Sequence, residues 1–114
     1  MEIKHFIVGP LLTNCYLIFS KEEAAVIDPG GGTREILKEI EEKKAKLKYI
    51  ILTHGHWDHT FSALKIKEKT RVKILIHEAE KEFIKLKIDE FLKEGDKIKI
   101  GDSVLKVIHT PGHT

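Results

Sequence analysis

The sequence predicts an α/β (α+β) domain in which a mixed β-sheet is covered by helices on one face. Three observations point there. Apolar runs of strand length alternate with stretches of helical periodicity through the first part of the chain. Two later runs, residues 97–100 and 104–108, flank Gly101-Asp102 and read as a hairpin. Earlier in the chain Tyr49-Ile50-Ile51-Leu52 is continuously apolar, as expected of a strand buried on both faces. The 114 residues suit one domain with a single core. An apolar content of 41% beside 33% charged residues is the balance of a folded domain rather than a disordered one.

Each element has a local reason. Residues 3–8 are mostly apolar and stop at Gly9-Pro10; residues 14–19 form a second strand and residues 24–27 a third, with Ser20-Lys21-Glu22-Glu23 as the turn. Asp28-Pro29-Gly30-Gly31-Gly32 reads as a loop, and Thr33 as the N-cap of a helix whose apolar face is Ile36, Leu37, Ile40 and Leu47. The strand 49–52 follows. Residues 61–69 have helical spacing through Phe61, Leu64 and Ile66, residues 72–76 suit a strand, and residues 78–86 a helix. There is no internal repeat and no low-complexity linker.

Composition narrows the function. Net charge is +2, with acidic and basic residues interleaved as in Glu39-Ile40-Glu41-Glu42-Lys43-Lys44. No basic stripe stands out, which disfavours nucleic acid as the main partner. Cys15 is the only cysteine, so no internal disulfide and no cysteine zinc site exist. Its apolar neighbours make it a small buried residue rather than a reactive thiol. No segment has the length and apolarity of a membrane span, and the N-terminus lacks a secretory apolar region, so the cytoplasm is the expected compartment.

The chemistry concentrates in His54-Gly55-His56-Trp57-Asp58-His59, where three of the seven histidines occupy six residues. The strand 49–52 delivers His54 to the carboxyl edge of the sheet, where open α/β sheets hold ligands. Gly55 allows a sharp turn there. Residues two apart in an extended stretch face the same way, so His54 and His56 can converge on one ion, and Asp58 and His59 are better placed for a second, adjacent one. Imidazole and carboxylate suit zinc first, with iron or manganese as the other ions, and not calcium. His113, after a strand and a Pro-Gly turn, can return to the same edge as a third imidazole. Three histidines and a water would bring that water's pKa to about 7. Trp57 fits a site wall, His5 and His77 fit surface or strand-end positions, and His109 fits a structural hydrogen bond.

With these residues in place, the sequence resembles the metallo-β-lactamase fold superfamily, and within it the small glyoxalase II-like hydrolases. Thr13-Asn14-Cys15-Tyr16-Leu17-Ile18 and Asp28-Pro29-Gly30-Gly31 are similar to its early strand and first loop. Thr53 to His59 matches the T-H-x-H-x-D-H signature, and Thr110-Pro111-Gly112-His113-Thr114 the T-P-G-H-T motif. The resemblance implies that His54, His56 and His113 bind a first metal. It implies that Asp58, also the catalytic candidate, and His59 bind a second, with Asp28 supporting the site from behind. It implies hydrolysis of a thioester or ester of a small molecule by metal-activated water. Two departures stand out. Thr60-Phe61-Ser62 occupies the place where the family commonly has small residues, and residues 1–114 correspond to the N-terminal half of an αββα sandwich. The later aspartate and histidine of the two-metal site are not among them. Three functions therefore stay open: a metal-dependent hydrolase, a non-catalytic, self-associating metal-binding half-domain, and a nucleic-acid phosphodiesterase, which the charge pattern disfavours. The half-sandwich also leaves one sheet face without its cover, so the expected partner is a second copy of the chain or a complementary C-terminal half.

Overall fold

The computed structural model of the chain describes residues 1–9, 12–53, 62–80 and 88–108. Strands β1 (Glu2–Val8), β2 (Thr13–Ser20) and β3 (Glu23–Ile27) form an antiparallel meander. From β3 the sheet turns parallel, through β4 (Lys46–Leu52), β5 (Lys73–His77) and the short β6 (Glu90–Leu92). Strand order follows chain order, with β1 and β6 at the edges. Helix α1 (Thr33–Glu42) crosses from β3 to β4 and α2 (Ala63–Thr70) lies between β4 and β5. Strands β7 (Lys97–Ile100) and β8 (Ser103–Lys106) make a separate antiparallel pair.

Alternation along the strands divides the apolar side chains between two faces. On one, Leu17, Val26, Ile50, Leu52, Ile74 and Ile76 meet Ile36 and Ile40 of α1 and Ala63 and Ile66 of α2 in one buried cluster. On the other, Ala25, Ile51, Leu75 and Leu92 pack with Ile98 and Ile100 of the β7–β8 hairpin. The mixed sheet with helices on one face is thus as the sequence predicts. The opposite face is not bare, because the hairpin folds back over β3 to β6. Each aliphatic side chain buried there contributes about 1.5–3 kcal/mol. The uncovered part lies at the β1–β2 end, where Ile3 and Ile7 remain 54% and 63% exposed beside Tyr16.

Polar contacts fix the hairpin in place. The Ser20 hydroxyl donates to Asp102 Oδ1 at 2.8 Å, and the Gly101 N–H donates to Glu23 Oε1 at 2.8 Å. Ser20 Oγ also lies 2.8 Å from Ser103 Oγ. Gly101 has a left-handed φ of +58°, and a Cβ there would lie 2.1 Å from the Ser20 carbonyl oxygen. The turn therefore requires glycine both for its dihedral and for the close approach of two backbones.

Several elements differ from their sequence readings. Leu47 belongs to β4, not to the helix face with Ile36 and Ile40; the helix has ended, and Lys44 takes a left-handed φ of 53° that turns the chain back. Leu47 still joins the same core, through the strand. Gly32, not Thr33, is the N-cap of α1, with φ 67° and no side-chain cap, and Thr33 is the first helical residue. Helix α2 begins at Ala63 rather than at Phe61, which lies outside the described residues. Of the helix expected over 78–86, Glu78–Glu80 form a 3-10 turn, and residues 81–87 lie outside the described residues. Strand β5 begins at Lys73 and β8 at Ser103, and β8 ends at Lys106 rather than Ile108. Strand β6 had no sequence signal. Three residues are too few for a period, and the strand is set in register by Asp89, which accepts the Ile74 N–H at 2.8 Å and the Lys67 ammonium and donates its own N–H to the Ile74 carbonyl at 3.0 Å.

Gly101→Ala is expected to cost about 3 kcal/mol, since strain at a left-handed position adds to a backbone clash. Gly95→Ala, at φ +87° but with nothing within 4 Å of the added Cβ, should cost about 1 kcal/mol. Urea unfolding of the two variants measures the difference; equal losses would contradict the docked-turn account.

Candidate metal centre

The ligand candidates His54, His56, Asp58, His59 and His113 lie outside the described residues, as do Gly55, Trp57 and His109. Among the described residues no group of three or more His, Cys, Asp or Glu side chains is gathered to hold a metal. What the structure describes is the frame on which the 54–61 stretch is mounted.

That frame is the loop after β3. Strand β4 ends at Leu52, deep in the core, and hands Thr53 to the carboxyl edge. There the carboxylate of Asp28 takes both donors of Thr53: the backbone N–H at 2.8 Å on Oδ1, and the hydroxyl on Oδ2. Asp28 is buried, with a left-handed φ of 54°, and donates its own N–H to the Ile51 carbonyl at 2.9 Å. Aspartate is among the few non-glycine residues that tolerate this conformation. On the other side of the stretch, the Ser62 N–H donates to the Pro29 carbonyl at 2.8 Å, and the Ser62 carbonyl accepts from Ile66 at 3.0 Å as α2 begins. The residues that flank 54–61 on either side are therefore both held by neighbouring residues of one loop.

The loop is held in turn by the β1–β2 connection. A Cβ on Gly31 would lie 2.5 Å from the Gly9 Cα, so the two backbones touch with no room for side chains. The run Asp28-Pro29-Gly30-Gly31 thus has a physical reading: an acid to hold Thr53, a carbonyl to hold Ser62, and a glycine for the close approach. Cys15 lies close enough to feel this charge. Burial first, and the Asp28 carboxylate second, push its thiol up to about 12. It is fully buried, as its apolar neighbours predict, and stays protonated at neutral pH.

The remaining described histidines have other partners. His5 stacks on Tyr16 with ring centroids 4.8 Å apart and lies 2.7 Å through Nε2 from Asn14 Oδ1, across the β1–β2 pair. His77 ends β5, and its Nδ1 accepts the Ala79 N–H at 3.0 Å, which puts the ring proton on Nε2. One residue escaped the sequence reading. Glu80, in the 3-10 turn after β5, is 4% exposed. The only signal for it was an acidic residue placed just beyond a strand that ends at the carboxyl edge.

The sequence pattern of the metallo-beta-lactamase superfamily matches residues 8–114. An uncharacterized protein of Aquifex aeolicus is 36% identical over 132 residues, covering 100% of this chain and 62% of its own length. A hydroxyacylglutathione hydrolase of Haemophilus influenzae is 34% identical over 133 residues, with 100% and 63% covered. Among solved structures, a B3 metallo-beta-lactamase superposes with a TM-score of 0.87 at 23% identity, over 99% of this chain and 63% of that one, a likeness of fold alone. A metallo-beta-lactamase of Staphylococcus aureus superposes with a TM-score of 0.82 at 26% identity, over 99% and 34%. The chain spans less than two thirds of the length of these relatives.

Asp28→Ala should leave two donors of Thr53 without their acceptor and cost about 2–4 kcal/mol in urea unfolding. The Cys15 thiol should resist Ellman's reagent at pH 8 in the folded chain and react at once in urea. Its contribution to stability is present in full below pH 9.0, the thiol's ordinary value, and is lost as pH rises from there toward about 12. Rapid labelling of the folded chain at pH 8 would contradict this burial.

Proposed function

The chain belongs to the metallo-beta-lactamase superfamily, and we propose that it is the ligand-bearing part of a metal-dependent hydrolase that cleaves thioesters or esters of small molecules. The observation that carries this reading is the Asp28–Thr53 hydrogen-bond pair. It fixes the backbone at Thr53, at the carboxyl end of β4, one residue before the run that carries His54, His56, Asp58 and His59 in the sequence. Two relatives support the substrate class. The Haemophilus protein bears the name hydroxyacylglutathione hydrolase, as does one of Vibrio vulnificus, 36% identical over 87% of this chain and 39% of its own length. Hydroxyacylglutathiones are thioesters.

The donor set fits a divalent ion of the zinc, iron or manganese class, with zinc first: imidazoles and one carboxylate, with no thiolate. His54, His56 and His113 would hold one ion, and Asp58 with His59 part of a second. A bound ion supplies acidification of water and polarisation of a carbonyl. The chain's own residues do the rest. Asp28 holds Thr53, so the chain is anchored at the residue before the first candidate ligand. Asp58 is the carboxylate of the run and the group able to hold the proton of the attacking water. Thr60 and Phe61 stand where small residues are common in the family and would narrow access to the site.

A second reading is favoured by the exposed Ile3, Ile7 and Tyr16 on the sheet face opposite the helices. In it these residues are covered by a second copy or by a complementary half, and residues 1–114 alone bind metal without turnover. No helix among the described residues is long and apolar enough to cross a membrane.

The deciding assay combines zinc content with hydrolysis of thioester, β-lactam and phosphodiester test substrates. Wild type should bind zinc and hydrolyse the thioester, lose activity on chelation and regain it with zinc. His56→Ala should lower zinc affinity and activity by at least about a hundredfold. Zinc binding without turnover above the His56→Ala background would favour the metal-binding reading, and light scattering would then report whether copies associate.

A further inference from the structure

We propose that two copies of the chain join edge to edge through β1, antiparallel about a two-fold axis at His5, so that their six-stranded sheets run on as one. The inference rests on the second reading above and deepens it: it commits the uncovered β1–β2 end to one occupant, a second copy, in one register.

The first observation is the edge. An open strand edge offers unpaired N–H and C=O groups to any chain able to add a strand, and proteins guard such edges with short strands, bulges, prolines or projecting charges. Strand β6, at the far edge, is guarded by its length of three residues. Strand β1 has seven residues and pairs with β2 alone among the described strands. Its register is continuous from Glu2 opposite Phe19 to Val8 opposite Thr13, with no bulge, and it holds no proline. Its carboxylate and ammonium groups are tied back within the chain, Lys4 to Glu39 of α1 and Glu2 to Lys43 at 2.7 Å, at the end of that helix. None of the usual guards stands on this edge.

The second observation is what the edge displays. Val8 and Phe6 point into the core under the helices, so Ile3, His5 and Ile7 lie on the opposite face. Both isoleucines are exposed. The His5 ring is drawn toward β2 by its stacking on Tyr16 and its contact with Asn14, which leaves the outer edge clear.

The third observation selects the partner and the register. Residues opposite each other in an antiparallel pair share a face, so the numbers of facing residues in a symmetric pair add to an even value. A total of ten pairs all seven residues of β1. It sets Ile3 of one copy against Ile7 of the other, Glu2 against Val8, Lys4 against Phe6, and His5 against itself. The exposed isoleucines cover each other and no like charges stand opposite. A total of eight would set Lys4 against Lys4, which is destabilising, and a total of twelve leaves Glu2 and Ile3 outside the pairing. The strand is thus complementary to its own copy in the register that uses all of it. An edge of this length, roughly 24 Å, makes a small interface, and a dissociation constant on the order of ten micromolar is expected.

Sedimentation velocity of residues 1–114 from about 5 to 500 µM provides the test, together with three variants. Wild type should pass from monomer to dimer across this range, and Ile3→Lys should weaken the dimer at least about tenfold. Only a residue on the two-fold axis meets its own copy, with Cα atoms about 4.5–5.5 Å apart, within reach of a disulfide. His5→Cys should therefore cross-link in oxidised glutathione. Ile3→Cys, about 13 Å from its own copy in this register, should not. Cys15 is buried and does not compete. A monomer throughout would overturn the proposal and leave the uncovered end to a complementary half. A dimer in which His5→Cys does not cross-link, or Ile3→Cys cross-links as well, would overturn the β1 pairing while the second-copy reading stands on another surface. If Ile3→Lys fails to fold, the two cysteine variants decide.

Discussion

The carboxyl half of β4, Ile50 to Leu52, is buried on both faces and has nowhere to send a polar side chain, and it imposes that demand on the rest of the domain. Ile50 and Leu52 are covered by the two helices and Ile51 by the β7–β8 hairpin. Both covers follow from it: the helices as crossovers that parallel strands require, and the hairpin as a lid on the second apolar face. The latch of Ser20, Glu23, Gly101 and Asp102 keeps that lid on the sheet. At the β1–β2 end the lid does not reach, and isoleucines face outward.

The same strand sets where the chain enters the candidate ligand run. A strand packed on both faces is rigid, so its carboxyl end is a fixed point, and Thr53 extends that fixed point by one residue through Asp28. Pro29 holds the far side of the same stretch through Ser62. In the proposed metal centre, preorganisation of this kind would lower the ordering cost of ion binding, because the chain entering and leaving the candidate ligand run is already anchored. A single loop does both jobs because Gly9 and Gly31 let it press against the β1–β2 connection.

The sequence by itself determined the succession of strands and helices up to β5 and the helices on one face of a mixed sheet, and it picked out residues 54–59 as the candidate ligand run. Periodicity is local, and H-x-H-x-D-H after an apolar strand is a dense, specific pattern. It also exposed Asp28 as part of a recognisable loop, though not that both its oxygens go to Thr53. Tertiary structure decided what depends on contacts distant in sequence. Leu47 reads as a continuation of a helix face until the turn at Lys44 redirects the chain. Strand β6 exists because Asp89 ties it to Ile74 and Lys67. The hairpin covers a face that local patterning leaves open, because its anchor joins Ser20 to residues more than eighty positions away. Glu80 was indistinguishable from its neighbours in a charged, helix-like stretch, since burial is a property of what folds over a residue and not of the residue itself.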